Sequence, residues 1–170
     1  PLQNYKPDEQ GLPAFDHAMR AVMLHRFAVS YRLRDFPPEL RDRLAEHVAV
    51  YREHAAPLIA DRAVIRPLTA QPLREGHGER FPAFQLGEGA RTLVAAFRLH
   101  GAAAATVLRP TALDPEAAYD VVLLGPDASA TDLRVAGPMS GSDLMMSGLP
   151  LTADGPTTSW LVSITRTDPA

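Results

Sequence analysis

The stretch "RFAVSYRL", Arg26 to Leu33, constrains this chain more than any other. Phe27, Val29, Tyr31 and Leu33 alternate with Ala28, Ser30 and Arg32, which is the period of two expected of a strand. Helical periods flank it. From Leu12, after Gly11 and Pro13 open the segment, Phe15, Met19, Val22 and Met23 recur at helical spacing. On the other side, Pro37 and Pro38 are acceptable only in a helix's first turn, and Leu40, Leu44, Val48, Tyr51 and Ala55 follow at i, i+4, i+8, i+11 and i+15. Glu39 and Asp42 sit near the positive end of that helix, Asp35 before the prolines helps to cap it, and Pro57 closes it. Helix, strand, helix is a β/α repeat. A parallel strand needs neighbours on both edges and cover on both faces, so one repeat cannot stand alone. The N-terminal part, residues 1–62, therefore reads as the tail of a larger β/α structure.

From about Ala63 the period changes. Short apolar runs, "AVIRPL", "FPAFQL", "RTLVAAFRL", "ATVLRP", "AYDVVLL", "TDLRVAG" and "SWLVSITRT", are separated by turn clusters rich in Gly, Pro and Asp. Strands at this spacing predict an antiparallel sandwich or barrel over residues 63–170. Trp160, Val162 and Ile164 share one face of the last strand, with Leu161, Ser163 and Thr165 on the other. "HGAAAATV" reads as a loop entering a strand in spite of its alanines, and the fold class is α+β.

Function classes narrow by exclusion. A net charge of −3 with seventeen dispersed basic residues gives no nucleic-acid footprint, and no apolar run is long enough to span a membrane. The absence of cysteine excludes disulfides and thiolate metal sites and fits a cytoplasmic setting. No metal or cofactor is expected. His47 and His54 lie two turns apart on one helix, about 10.5 Å by rise, too far for one zinc ion. His17 and His25 have no third ligand nearby, and His77 and His100 fall in loops. "SGSDLMMSG" lacks the spacing of a nucleophile elbow. "GEGARTL", Gly87 to Leu93, reads as a hairpin turn and not a phosphate loop. Among the acids, Asp8 and Glu9 precede the first helix and Asp35 follows the strand. A retaining glycosidase needs two carboxyls about 5–5.5 Å apart, and these do not make that pair. No catalytic residue is assigned.

Five stretches occur in order: "HRFAVSYRLRDFPPELRDRLAEHVAVYREHAAPLI", "VIRPL", "LRPTALDPEAAYDVVLL", "MSGSDLMMSGLPL" and "SWLVSITRT". Together they resemble the C-terminal part of microbial α-galactosidases (melibiases) of glycoside hydrolase family 36. The resemblance implies that Phe27–Leu33 is the eighth strand of a (β/α)8 barrel, with Leu12–His25 and Pro38–Ile59 its last two helices. A C-terminal antiparallel β-sandwich domain would follow. It implies cleavage of terminal α-galactosides by a retaining mechanism whose two aspartates lie upstream of Pro1. The partners it implies are that upstream barrel, the α-galactoside and further copies in a homo-oligomer, and the chain alone should be inactive. Residues 1–13 would be the loop after strand seven, with Asn4, Tyr5 and Asp8 as substrate contacts. The alternative function is a non-catalytic carbohydrate-binding or interaction module. Ser140–Leu151 is expected to be a non-helical turn that inserts Leu144 and Met145 into apolar surface; its competing role is a sugar contact through Ser142 and Asp143.

Overall fold

The computed structural model describes residues 7–25, 27–28, 32–70, 78–125, 137–153 and 158–167. Helix α1 spans Pro7–Val22 and is kinked at Gly11, whose φ of 69° and ψ of 177° leave the helical region. The kink places Pro13 in the first turn of the second piece, where its missing N–H costs nothing. The helix thus starts one turn earlier than the periodicity indicated. Phe15 and Met19 of α1 pack against Phe36 and against Leu40 and Leu44 of the next helical segment. That segment is α2, Pro38–Val50, which runs through a π-helical turn, Tyr51–Ala55, into α3, Ala56–Ala60.

Pro57 does not end this helix, and the π turn is the physical reason. Proline has no N–H for the carbonyl four residues back, here Glu53, and its ring collides with that carbonyl in a regular helix. Widening the turn over Tyr51–Ala55 relieves the collision. The orphaned Glu53 carbonyl then accepts a hydrogen bond from Arg91 Nη2 at 3.0 Å.

Eight strands follow: β1 Ile65–Pro67, β2 Ala83–Glu88, β3 Arg91–Phe97, β4 Ala105–Leu108, β5 Ala118–Leu123, β6 Met139–Ser140, β7 Leu149–Thr152 and β8 Ser159–Arg166. Six form one antiparallel sheet in the order β1-β2-β3-β8-β5-β6, and β4 pairs with β7 in a two-stranded sheet. Gly89 and Ala90 make the turn between β2 and β3, so "GEGARTL" is a hairpin. The alanine-rich run after Gly101 enters β4, as expected. "TDLRVAG" falls outside the described residues except for Gly137.

Side-chain parity places the two cores. Val94 and Ala96 of β3, with Trp160, Val162 and Ile164 of β8, point towards Leu108, Leu149 and Leu151 of the small sheet. On the opposite face Leu86, Leu93, Ala95 and Leu161 meet Met23, Leu24, Ala55 and Leu58 from the helices. The large sheet is therefore covered on one side by strands and on the other by helices. The fold is a mixed one of helices and antiparallel sheet. Among the described residues, no helix is long and apolar enough to cross a membrane.

Phe27–Leu33 is not seen as a strand. Phe27, Ala28 and Arg32 have no regular structure, Leu33 opens a 3-10 turn through Asp35, and residues 29–31 lie outside the described residues. A strand needs a ladder partner for its N–H and C=O groups, and no described strand runs beside this segment. Phe27 instead stacks on Tyr51, with ring centroids 5.3 Å apart.

Candidate functional site

Charged residues on the apolar side of α1 set up the most buried polar cluster. Asp16 follows Phe15 in sequence and is 1% exposed, beside His47 of α2 at 1%. His47 Nε2 lies 2.7 Å from Asp16 Oδ1, and Arg43 Nε lies 3.2 Å from the same oxygen. Arg43 also reaches Glu46 at 3.7 Å. Above the cluster a cleft of about 440 Å³ is lined by Leu12, Glu39, Asp42, Arg43 and Glu46. Its three acids sit on one helix, along one rim. Retaining glycoside cleavage needs two carboxyls facing each other across the sugar, and Asp16, the acid beneath this cleft, is bound to His47 and Arg43. Chemically the cluster is an ionic clamp between α1 and α2.

A second polar tie joins α1 to β8. Arg20, 3% exposed, donates from Nη1 to the Ser159 carbonyl at 2.6 Å and to Ser159 Oγ at 3.2 Å. Gly125 lies over the guanidinium, where a Cβ would stand 2.9 Å from Nη2. His17 Nδ1 pairs with Thr158 Oγ1 at 3.0 Å, and its ring sits 5.1 Å from that of Phe97. Burial pulls the His17 pKa below the usual 6.5; a hydrogen bond donated to the Thr158 backbone opposes this and the Arg20 charge reinforces the lowering. The pKa of His54 is lowered too, first by burial, with Glu53 opposing and Arg91 reinforcing.

The stretch Met139–Leu151 resolves into β6, a short helix α4 at Gly141–Met146, and β7. The expectation of a non-helical turn is corrected here. Ser140 caps α4: its Oγ accepts from the Asp143 N–H at 3.0 Å and donates to Asp143 Oδ2 at 2.8 Å. Gly148, with φ of 77°, turns the chain out of α4, and a Cβ there would lie 2.6 Å from the Leu108 carbonyl oxygen. Leu144 is fully buried and Met145 packs on the same core, whereas Met146 is 76% exposed. Asp143 serves the cap, and Ser142 Oγ donates to Met146 Sδ at 3.7 Å. These contacts match the apolar-insertion role and use both proposed sugar ligands internally.

The other sequence candidates do not converge. Asp35 pairs with Arg34 at 3.6 Å; the capping position of α2 is Pro37, without a side-chain cap, so Asp35 is not the cap. Asp8 and Glu9 fall inside α1 and not in a loop before it. Asn4, Tyr5 and His77 lie outside the described residues. Among the described residues, no three His, Asp or Glu side chains come together as metal ligands. Sequence reading missed Asp16, Arg20 and Arg43. The signal was present in Asp16 and Arg20, two charges flanking the buried stripe of Phe15, Met19 and Met23, because such positions must be paired.

No family model matches the chain, and no curated protein matches it in sequence. Solved structures do. The galactosidase domain of an α-galactosidase–sucrose kinase superposes with a TM-score of 0.70 at 16% identity, over 96% of this chain and 21% of that one. An α-galactosidase from Lactobacillus brevis gives 0.70 at 14% identity, over 98% and 22%. A glycoside hydrolase family 36 α-galactosidase from Geobacillus stearothermophilus gives 0.70 at 16%, over 96% and 21%. The chain thus shares its fold with part of these enzymes and spans about a fifth of their length.

Proposed function

We propose that residues 1–170 are the C-terminal portion of a glycoside hydrolase that cleaves terminal α-galactosides with retention, its two catalytic aspartates lying in residues outside this chain. The observation that carries this reading is the fold match over 96% of the chain to about a fifth of galactosidase chains. Two features support it. The buried Asp16–His47–Arg43 cluster is a clamp between helices, with no arrangement of acids across a sugar. The segment Phe27–Leu33 has strand alternation in its sequence, and no described strand pairs with its described residues, Phe27, Ala28, Arg32 and Leu33, which fits a barrel's last strand whose neighbours lie elsewhere. In this reading residues 1–62 are the last two helices and eighth strand of the barrel, and residues 63–170 are the antiparallel domain that follows.

A carbohydrate-binding module fits less well. Such a module presents aromatic rings to sugar. Every described aromatic is buried or partly buried, and Trp160, the one tryptophan, is 1% exposed and stacked on Phe81 at 5.7 Å.

Hydrolysis of a chromogenic α-galactoside tests the proposal. The 170-residue chain should release no chromophore, and the longer polypeptide that contains it should, with NMR showing an α-configured galactose as first product. Hydrolysis by the 170 residues alone, or none by the longer polypeptide, overturns the reading.

A further inference from the structure

The hydrogen-bond ladder of β2, β3 and β8 continues past the ends of its strands. Beyond β3, Leu99 N donates to the Arg80 carbonyl at 2.9 Å and Arg98 N to the Thr158 carbonyl at 2.7 Å, so three segments lie side by side. The Leu99 carbonyl accepts from Ala102 N at 3.0 Å, and Gly101, with φ of 76°, lets the chain turn there towards β4. A cleft of about 330 Å³ opens at this turn, lined by Arg98, Leu99, His100, Gly101 and Thr158. The Thr158 hydroxyl on its wall is fixed by its pairing with His17 of α1.

The charges around the cleft are of one sign. Arg98 donates from Nε to the Ala103 carbonyl at 3.0 Å, and Arg80, beside the cleft, donates from Nη1 to the His100 carbonyl at 2.8 Å. Each tie orients a guanidinium while spending one of its N–H donors, and the rest stay open. His100 adds an exposed ring. Among the described residues none of these three meets a carboxylate: Glu79, next to Arg80 in sequence, gives its Oε1 to the Phe81 N–H at 2.6 Å. In a chain whose 20 acidic side chains outnumber its 17 lysines and arginines, this is a local excess of positive charge, and a concave surface concentrates its field.

We propose that this cleft binds a phosphoryl group, as inorganic phosphate or at the end of a small phosphate ester. Guanidinium forks fit the oxygens of phosphate and carboxylate alike, but two of them together favour a dianion over a single charge. The cleft volume is about eleven times a water's share of the liquid, about 30 Å³, so a phosphoryl group enters with a small substituent and some water. A nucleic acid is a poor occupant, since the basic residues are dispersed along the chain and form no stripe in the sequence. The proposal stands apart from the galactosidase reading. A ligand held by the folded cleft and not by the unfolded chain also raises the melting point by mass action.

Calorimetric titration at constant ionic strength, with inorganic phosphate, glycerol 3-phosphate, glycerol and acetate as probes, tests this, and NMR locates the site. Both phosphates should bind and shift the backbone amide signals of Leu99 to Ala102, with acetate and glycerol at least about ten-fold weaker. Arg98→Gln should weaken phosphate binding about ten- to a hundred-fold and His100→Ala about two- to ten-fold. Arg41→Gln, which removes the same charge from α2, should leave it unchanged. Should Arg98→Gln lower the melting point, His100→Ala carries the test, because its ring makes no hydrogen bond among the described residues. Tighter binding of glycerol 3-phosphate names an ester as the ligand and equal binding the free ion; either upholds the site. Acetate binding as tightly as phosphate, amide shifts confined to other segments, or indifference to both cleft variants overturns the proposal. So does phosphate binding by the 170-residue chain that is lost in a longer polypeptide containing it, since the cleft is then covered.

Discussion

Replacing Gly141 by alanine sets two physical effects against each other. Gly141 is the first residue of α4, and helix propensity alone favours alanine by up to about 1 kcal/mol. Packing opposes it. A Cβ on Gly141 would overlap the Asp114 carbonyl oxygen, with the carbonyl carbon at 2.8 Å and Tyr119 Cε2 at 3.1 Å. Neither neighbour can give way: the Asp114 N–H donates to Tyr119 Oη at 2.9 Å, its carbonyl accepts from Ala117 at 3.2 Å, and Tyr119 is fully buried. Helix α4 must therefore lift. Lifting strains or breaks the bonds from Gly141 N to the Ala117 carbonyl at 2.9 Å and from Ser142 N to the Pro115 carbonyl at 3.1 Å. At about 1 kcal/mol each, plus about 1.5–3 kcal/mol for uncovering Leu144, the loss is about 3–5 kcal/mol. After the propensity gain, about 3 kcal/mol of destabilisation remains, or a melting point lower by roughly 6–12 °C for a chain of this size. Thermal and urea denaturation followed by circular dichroism measure it. Gly89→Ala is the control, since its φ of 65° strains alanine but nothing lies within 4 Å of the added Cβ. That variant should lose about 1–2 kcal/mol. A Gly141→Ala protein melting at or above the parent, or no lower than Gly89→Ala, refutes the argument.

Gln85 is fully buried and completely used, donating to the Gly87 and Thr111 carbonyls at 3.0 and 2.8 Å and accepting from Thr111 N at 2.9 Å. Gln85→Leu should cost about 2–4 kcal/mol in urea denaturation, because it strands the Thr111 N–H and carbonyl; a loss under about 0.5 kcal/mol contradicts this. Asp16→Asn and His47→Gln should each destabilise, and their double-mutant cycle should show a coupling of about 1–3 kcal/mol; additive effects would refute the clamp. With the His17 pKa below 6.5 in the folded state, the unfolded chain binds the proton first, so stability falls as pH drops through that value. His54 shifts in the same direction. The urea midpoint of His17→Gln should fall less than the parent's between pH 7.5 and 5.5, and an equal fall removes His17 as the cause.

What was legible in the sequence was whatever depends on neighbours within a few residues. Strand alternation placed Trp160, Val162 and Ile164 on one face of β8 and Leu161 on the other, because a pleated strand fixes that alternation locally. The hairpin at Gly87–Leu93 was readable for the same reason. Helix limits were not, since they turn on distant partners. Pro57 should end the helix, and it does not because the π turn makes room for its ring and Arg91, thirty-eight residues from Glu53, satisfies the freed carbonyl. Helix α4, with Gly141 at its start and Gly148 just past its end, stands where a non-helical turn is expected. One of them is required by the Asp114 carbonyl packed against it, a contact between two quoted stretches that no local pattern encodes. The Asp16–His47 and Arg20–Ser159 pairs, separated by 31 and 139 residues, were equally out of reach.

These distant ties fix the helices to the six-stranded sheet. Arg20 and His17 hold α1 to Ser159 and Thr158, Arg91 of β3 holds the π turn, and Leu58 of α3 packs where a Cβ on Gly87 of β2 would lie 3.2 Å away. The strands involved, β2, β3 and β8, are consecutive within the six-stranded sheet. A charged side chain bonded to a buried carbonyl is worth about 1.5–3 kcal/mol, and burial of Leu58 about as much again. Sliding the helices across the sheet would forfeit several such terms together, while bending at an exposed linker would forfeit none. The helices are thus fixed to the sheet by side chains and not merely joined to it by chain.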